Sequence, residues 1–286
     1  MFTVSGATLE DVAVHSAADT AAEGLLRVSR RGPRSIVVRA YARSPLRLLT
    51  PSNHGHAAWI FTSTLGGGLL GGDAIALDVE VEPGAAALLQ TQASTKIYRS
   101  RRGASSTLRA AVEDDATLLI VPDPTVCFAG ASYRQAQCVD LTPGANLVLV
   151  DWITAGRRAA GERWAFDQYE SRITVRRGSD LLLADALSLT ALEGALPERL
   201  GRFDCFCTVV IVGPGLCGHA RQSLDAIAQM PSPQRSSFLV GAAPLGDCGC
   251  VIRMAGTSVE EVGRAMREQL RFVPAMLGDD PWARKW

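Results

Sequence analysis

Residues 75–89, IALDVEVEPGAAALL, decide the fold. The first half of this stretch alternates apolar and charged side chains, so that Ile75, Leu77 and Val79 share one face of an extended strand. The Pro-Gly pair at 83–84 supplies turn chemistry, and a second apolar run follows at once. The stretch therefore predicts a strand, a tight turn and another strand.

The same order of strand, turn and strand recurs further along the chain. It is repeated in residues 112–121 and 139–150 and, more loosely, in residues 173–183. The turns are about thirty residues apart, a spacing found in repeat architectures, but the copies are too degenerate to predict a solenoid. We therefore predict a mostly β fold of stacked hairpins and sheets for the first two thirds of the chain.

The last third of the chain has a different pattern. After an apolar run at 205–212, residues 218–230 carry apolar side chains at helical spacing and are followed by Pro231, which predicts one helix. Thr257 and Glu260 form a capping box before a second apolar helical stripe. The sequence therefore predicts two α-helices in this part.

Two strands are predicted to pair between these helices, at 237–242 and 250–254. The predicted class is α+β, in a single domain over residues 1–286. Within that domain we expect a β-rich region at about 20–200 and a small α+β region at about 201–275.

Composition limits the class of protein. The chain has 286 residues, of which 47% are hydrophobic and 20% are charged, and its 29 basic residues balance its 29 acidic ones. These values are typical of a globular protein, so that neither a nucleic-acid partner nor a membrane partner is expected. The amino terminus lacks the basic and apolar regions of a secretory signal, which predicts a cytoplasmic location. Seven cysteines, an odd number, favour reduced thiols over a disulfide scaffold.

The glycine-rich segment at 66–73, GGGLLGGD, contains a formal G-x-G-x-x-G motif. A dinucleotide site requires a helix after this motif, whereas the residues that follow alternate as a strand. We therefore interpret the segment as a glycine-lined hairpin that lets another backbone approach closely. A Walker A site is excluded as well, because neither Lys96 nor Lys285 follows a glycine.

Metal and catalytic motifs are sparse. His54 and His56 are suited to a transient metal contact or to hydrogen bonding in a turn. The pairs Cys205/Cys207 and Cys248/Cys250 could supply four thiolates, but buried packing is the favoured interpretation. No G-x-S-x-G motif occurs. Several acidic residues fall near predicted strand ends and are interpreted as turn residues, namely Asp73, Asp78, Asp123, Asp140 and Asp151.

Five blocks of sequence, taken together, resemble the urease accessory protein D family, called H in some bacteria. They are GGGLLGGD (66–73), TQASTKIYRS (91–100), PDPTVCF (122–128), NLVLVDWITAGR (146–157) and GERWAF (161–166). The likeness runs from about residue 20 to 272 and is closer to the plant and fungal form. The bacterial form has His-Pro-Pro where this chain has Ser63-Thr64-Leu65, so any role of that histidine does not carry over.

The resemblance implies a non-enzymatic scaffold that acts in maturation of the urease nickel centre. The implied partners are accessory protein F, accessory protein G, which is a GTPase, and apo-urease. The resemblance further implies that nickel passes through the interior and that no cofactor is tightly bound. A conduit needs weak, exchangeable oxygen ligands, because thiolates would trap the metal.

Two groups of residues are therefore predicted to contribute to function. The transient nickel path is predicted to use Asp73, Asp123, Glu162 and His56. Interface or structural roles are predicted for Gly66, Gly67, Gly68, Gly71, Thr95, Lys96, Tyr98, Arg99 and Arg157. Cys127 is expected to pack beside Phe128 rather than bind metal. The alternative function is a stand-alone metal-dependent hydrolase that uses His54, His56 and nearby carboxylates.

Overall fold

The structure, a computed structural model, describes residues 24–231 and 235–283, and these contain seventeen β-strands and four α-helices. The strands of the first half are β1 (Gly24–Arg31), β2 (Arg34–Ala42), β3 (Leu46–Leu49), β4 (Ala58–Thr64), β5 (Ala74–Val81), β6 (Ala86–Thr91), β7 (Thr95–Ile97), β8 (Ala104–Val112), β9 (Thr117–Ile120) and β10 (Thr125–Cys127). The strands of the second half are β11 (Ser132–Leu141), β12 (Asn146–Thr154), β13 (Gln168–Arg177), β14 (Asp180–Thr190), β15 (Cys205–Val212), β16 (Phe238–Pro244) and β17 (Gly249–Gly256). The helices are α1 (Leu196–Arg199), α2 (Cys217–Ala228), α3 (Val259–Gln269) and α4 (Val273–Leu277).

The strands form two sheets that pack face to face. The first sheet has the order β14-β13-β11-β8-β5-β1-β2. The second has the order β16-β17-β15-β12-β9-β6-β4-β3, with β10 beside β12 and β7 beside β10. Because β15, β17 and β16 continue the second sheet, the carboxyl-terminal third extends the same framework.

The two strands of each repeated unit lie in opposite sheets. β5 belongs to the first sheet and β6 to the second, and the same division holds for β8 with β9 and for β11 with β12. Equivalent strands of successive units pair in parallel, as Val79 does with Ala110 and Leu88 with Leu119. The chain therefore coils like a β-solenoid. The prediction of stacked hairpins is wrong for this region, although β13 and β14 do form a hairpin.

Turn hydrogen bonds and burial together explain the coil. Successive turns bond to each other, since Gly84 N donates to Asp114 O at 3.0 Å and Thr142 N donates to Val112 O at 3.0 Å. Central strands of the second sheet, namely β6, β9 and β12, are covered on both faces and carry continuous apolar runs. In the first sheet, β5 and β8 alternate because one face meets solvent. If the repeated units were hairpins, both strands of each unit would lie in the same sheet, and one apolar face of the second strand would be exposed to solvent.

Two large clusters of buried residues lie on either side of the second sheet. One fills the space between the sheets and includes Leu26, Val79 and Leu147. The other lies between the second sheet and the helices and includes Val209 and Met266. A third cluster lies at one end of the sheets and is described with the candidate site.

The order β15-α2-β16-β17-α3 agrees with the predicted carboxyl-terminal pattern, and β16 and β17 pair as expected. The cap of α3 is one residue from its predicted place, because Ser258 Oγ accepts from Glu261 N. Met230 lies beyond the end of α2 and is 51% exposed. The short helices α1 and α4 were not predicted. Within residues 24–231 and 235–283, no helix combines the length and apolar character needed to cross a bilayer.

Candidate functional site

A cavity of about 300 Å³ lies between the two sheets. It is lined by the first residues of β5, β8 and β11 and by the last residues of β6 and β12. These strand ends are the ones remote from the turns that join the sheets. The cavity therefore lies at the end of the fold where the glycine-rich segment and β7 are found.

The inward face of the strands changes from apolar to polar on approaching this cavity. Along β12, Leu147 and Leu149 are buried between the sheets, and Asp151 follows on the same face. Along β11, Val139 is buried in the same cluster, whereas Gln135 lines the cavity. The alternation of the repeat is thus preserved while its chemistry changes.

Asp151 is at the centre of a hydrogen-bonded network that joins the sheets. Gln135 Nε2 donates to Asp151 Oδ1 and Ser171 Oγ donates to Asp151 Oδ2, both at 2.6 Å. Burial raises the pKa of Asp151, and these two hydrogen bonds partly offset the rise. Asp151 lies within β12, so its interpretation as a turn residue at a strand end is wrong. The signal in the sequence is a carboxylate at the end of the apolar run 147–150, two residues beyond Leu149.

Asp151 also lines a second, smaller cavity. This cavity has a volume of about 20 Å³ and is further lined by Tyr169, Ser171, Asp185 and Thr208. Asp185 forms an ion pair with an arginine of β17. The Asp151 carboxylate therefore lines both the main cavity and this second, smaller cavity.

The buried side chain of Gln90 adds further polar character to the main cavity. Neither its Oε1 nor its Nε2 has a hydrogen-bond partner among the residues that the structure describes, although Gln90 is only 1% exposed. Buried polar groups without a partner carry a free-energy cost, which water or a hydrated cation would remove. The cavity is thus suited to a polar occupant.

The structure does not bring the four predicted nickel-path residues together. Asp123 lines the main cavity. Asp73 accepts from Leu70 N at 2.8 Å and so closes the glycine-rich segment. Glu162 is bound by the guanidinium of Arg157, which lowers the pKa of Glu162. His56 lines a different cavity, beside the turns.

The glycine-rich segment packs closely against β7. Leu69 N donates to Lys96 O at 2.8 Å, and Tyr98 N donates to Leu69 O at 2.9 Å. A Cβ on Gly68 would lie 2.6 Å from Lys96 O, and one on Gly71 would lie 2.1 Å from Ser100 Cβ. The close backbone approach predicted for this segment is present. The segment is not a hairpin, however, because it connects β4 of the second sheet to β5 of the first.

Most of the predicted interface or structural residues surround this contact. Gly67, Thr95 and Lys96 line the main cavity. The ring of Tyr98 packs edge-on against Phe128, and the Arg157 guanidinium lies 4.1 Å from the centre of the Phe128 ring. Arg99 packs against Gly130, and Gly66 has the positive φ of a turn glycine, +87°. Their contribution to partner binding stays a prediction.

One buried cluster draws at least one residue from each of the five sequence blocks. Its members from the blocks are Leu69, Ile97, Cys127, Ile153, Ala155, Trp164 and Phe166. Blocks that are separated in sequence by tens of residues thus meet in space at the same end of the sheets. Leu69 and Tyr133 of this cluster also line the main cavity, which therefore has an apolar border on that side.

One pair of cysteines differs from the expectation that all thiols are reduced. Cys217 and Cys248 form a disulfide with a Cα–Cα distance of 4.4 Å, so the expectation of reduced thiols is wrong for them. Cys248 therefore supplies no thiolate to a four-cysteine site. Cys205 and Cys207 are buried as predicted, and burial raises the pKa of Cys205 to about 12. Cys127 packs in the apolar cluster described above, also as predicted.

The loop that carries His54 and His56 packs against the carboxyl-terminal residues. His56 N donates to Leu277 O at 3.1 Å, and His54 N donates to an Asp279 carboxylate at 2.8 Å. In the described part of the chain, no three His, Cys, Asp or Glu side chains are placed to bind a metal ion together. The geometry therefore gives no support to a preformed histidine-carboxylate centre at this loop.

Comparison with known proteins decides the family. The family model described as "UreD urease accessory protein" matches residues 21–286. A urease accessory protein UreD from Sorangium cellulosum is 50% identical over 270 residues, which cover 94% of this chain and 86% of that protein. The chain belongs to the UreD family. A urease accessory protein D from Oryza sativa subsp. japonica is 33% identical over 296 residues, which cover 93% of this chain and 96% of the rice protein.

Membership of the UreD family assigns the chain to a class of urease accessory proteins. The resemblance seen in the sequence blocks is thereby confirmed, including the similarity to plant members. The family match spans the cavity, the glycine-rich segment and the helices alike. All five sequence blocks, whose residues meet in one apolar cluster, therefore lie within the matched region.

Proposed function

We propose that this UreD-family chain is a non-catalytic scaffold for urease maturation and that nickel reaches apo-urease through its interior. It acts in the cytoplasm with accessory protein F and with the GTPase accessory protein G. Two findings support the proposal: membership of a family of urease accessory proteins, and a cavity between the sheets that is lined in part by hydroxyl, amide and carboxylate side chains. The observation that carries the proposal is the position of Asp151, which lines both cavities.

The chemistry of the cavity is suited to transfer rather than storage. Its polar lining consists of hydroxyl, amide and carboxylate groups, including Thr62, Ser106, Gln135 and Asp151. Such oxygen ligands exchange faster and bind a borderline cation more weakly than thiolates do. The nearby thiol of Cys127 is protonated at neutral pH, because burial raises its pKa far above the usual range. Nickel passing here would therefore meet oxygen atoms.

Asp151 can assist a divalent cation where its carboxylate lines both cavities. Desolvation favours the neutral carboxylic acid, whereas a nearby cation favours the carboxylate. A cation beside Asp151 would thus favour the carboxylate over the acid. Burial limits the affinity for that cation, because binding must offset the desolvation of both charges.

The proposal is tested with Asp151→Asn, which preserves size and can still hydrogen-bond to Gln135 and Ser171. Asp140→Asn is the matched control, because Asp140 is an exposed carboxylate on β11. Each variant is co-expressed with the urease operon, and we measure both the proteins that co-purify and the nickel content of urease. We expect Asp151→Asn to co-purify normally but to deliver less nickel, by about tenfold in initial rate.

Each readout of this experiment has a distinct meaning. Normal nickel content with Asp151→Asn would contradict the passage through Asp151. Failure of the unaltered chain to co-purify with urease and accessory proteins F and G would contradict the scaffold function itself. Steady substrate turnover by the purified chain would instead favour the metal-dependent hydrolase. The Asp140→Asn variant is expected to match the unaltered chain in every measurement.

A further inference from the structure

The amino-terminal end of the two sheets carries an unusual concentration of positive charge. Residues 24–72 contain seven arginines and no aspartate or glutamate, although the whole chain has no net charge. All seven arginine side chains are exposed. They lie on β1, on the edge strands β2 and β3, and in the turns between them, and are Arg27, Arg30, Arg31, Arg34, Arg39, Arg43 and Arg47.

Most of this charge is not balanced within the structure. Arg27 pairs with Glu80 at 2.7 Å. No acidic side chain in the described residues forms an ion pair with Arg31, Arg39, Arg43 or Arg47. The register of the first sheet places Arg39 directly across from Arg27, and Arg31 across from Arg34. Like charges at opposed positions destabilise a strand pair, and an anionic group bound beside them would relieve the repulsion.

The same edge exposes apolar side chains and backbone hydrogen-bonding groups. β2 is the terminal strand of the first sheet and pairs with β1 on one side only, and on its other side Ser35 N donates to His56 O at 2.7 Å, so that the open edge of β2 begins after Ser35. Ile36, Val38 and Tyr41 of β2 are 44%, 41% and 54% exposed. An edge strand with exposed apolar side chains can accept another strand by main-chain hydrogen bonds. We call the surface formed by β2, β3 and the seven arginines the arginine edge.

We propose that the arginine edge binds an acidic, extended segment of a partner protein, which adds as a strand beside β2. Apolar side chains and backbone groups in one row fit a peptide strand better than a nucleic-acid backbone, which would need phosphate contacts alone. A second copy of the chain is disfavoured, because two arginine edges would repel each other. Charge complementarity therefore selects a partner segment rich in Asp or Glu alternating with apolar residues.

The proposal is tested with full-length protein and a fluorescent nine-residue peptide of alternating glutamate and valine. The first comparison peptide has the same charge but prolines in place of two valines, which prevents strand addition. The second has lysine in place of glutamate. We expect only the glutamate-valine peptide to bind, and we expect its affinity to fall as salt is raised.

The double variant Arg39→Glu/Arg47→Glu tests the residues themselves. Its matched control is Arg221→Glu/Arg264→Glu, which reverses two exposed arginines on α2 and α3 that have no ion pair in the described residues. We expect peptide affinity to fall by at least about tenfold in the first variant and to be nearly unchanged in the control. Because the glutamate introduced at position 39 would face Arg27, the first variant is expected to melt no lower than the unaltered chain.

Four outcomes would overturn the proposal. Equal weakening by both double variants would indicate attraction by overall charge alone. Equal binding of the proline peptide would exclude strand addition. Aggregation or dimerisation of Arg39→Glu/Arg47→Glu without loss of peptide binding would show that the arginines only protect the edge from self-association. Binding seen only after removal of residues 1–23, which carry four acidic and no basic side chains, would assign the edge to this chain's own amino terminus.

Discussion

Asp151 places a carboxylate where the fold would be more stable with a neutral group. Burial raises its pKa, so the folded protein binds a proton more readily than the unfolded chain does. The stability contributed by this group is complete below the ordinary aspartate pKa and is lost as the pH rises through the raised value. At neutral pH the raised pKa of Asp151 therefore lowers the free energy of unfolding relative to a neutral side chain at this position.

Asp151→Asn should for this reason raise the melting temperature at pH 7. The difference from the unaltered chain should shrink as the pH is lowered through the raised pKa, because both side chains are then neutral. Thermal melts at several pH values measure this directly, with Asp140→Asn as the control. A variant that is less stable at pH 7, or a difference that does not depend on pH, would contradict the account.

The sequence alone holds part of the information about the surroundings of Asp151. The sequence shows that Leu147, Leu149 and Asp151 share one face of β12, but in a continuous apolar run it does not show which face is inward. The partners Gln135 and Ser171 are not readable in this way, because they come from β11 and β13 and meet Asp151 only after both sheets have formed. The spacing of residues along one strand predicts which side chains share a face, whereas contacts between the sheets depend on the topology of the whole fold.

Among the structural elements, the glycine-rich segment and β7 form the contact most sensitive to added volume. A Cβ on Gly68 would approach a backbone carbonyl that cannot rotate away, at 2.6 Å. We expect Gly68→Ala to reduce the free energy of unfolding by about 1–3 kcal/mol, the usual cost of overpacking. Chemical denaturation followed by circular dichroism provides the measurement.

Gly218→Ala is the matched control for that prediction. Gly218 lies in α2, and a Cβ there would meet no atom within 4 Å. Alanine also favours a helix over glycine, so this variant should be as stable as the unaltered chain or slightly more so. Equal stability of Gly68→Ala and Gly218→Ala would show that the close approach to β7 does not contribute as described.

The sequence predicts correctly those helices and strands that depend on local patterns. The helices α2 and α3 and the strand pair β16–β17 follow from apolar periodicity and turn residues within one segment. The sequence also divides the repeated units into the correct strands. The prediction that the two strands of a unit form a hairpin in one sheet is wrong, because they lie in opposite sheets. A Pro-Gly turn has the same sequence whether it closes a hairpin or leads to a facing sheet, and the hydrogen bonds between turns decide the outcome.

The whole molecule consists of two sheets whose inner faces are apolar near the turns and polar at the opposite end. Both features arise from one repeat, whose inward positions change from valine and leucine to threonine, serine, glutamine and aspartate. Residues of all five sequence blocks meet in the apolar cluster beside this end. If nickel passes through this interior, as we propose, its open volume is necessary for function as well as its surface.

Blocking the cavity tests this claim most directly. Gln137 lines the cavity, and Gln137→Trp would fill part of it. Gln222→Trp places the same change on the exposed face of α2. Both variants are compared with the unaltered chain for melting temperature, for co-purification with urease and its accessory proteins, and for nickel incorporated into urease. The account predicts that folded, complex-forming Gln137→Trp yields nickel-poor urease while Gln222→Trp yields urease with normal nickel content. Normal nickel content with a folded Gln137→Trp variant would contradict it.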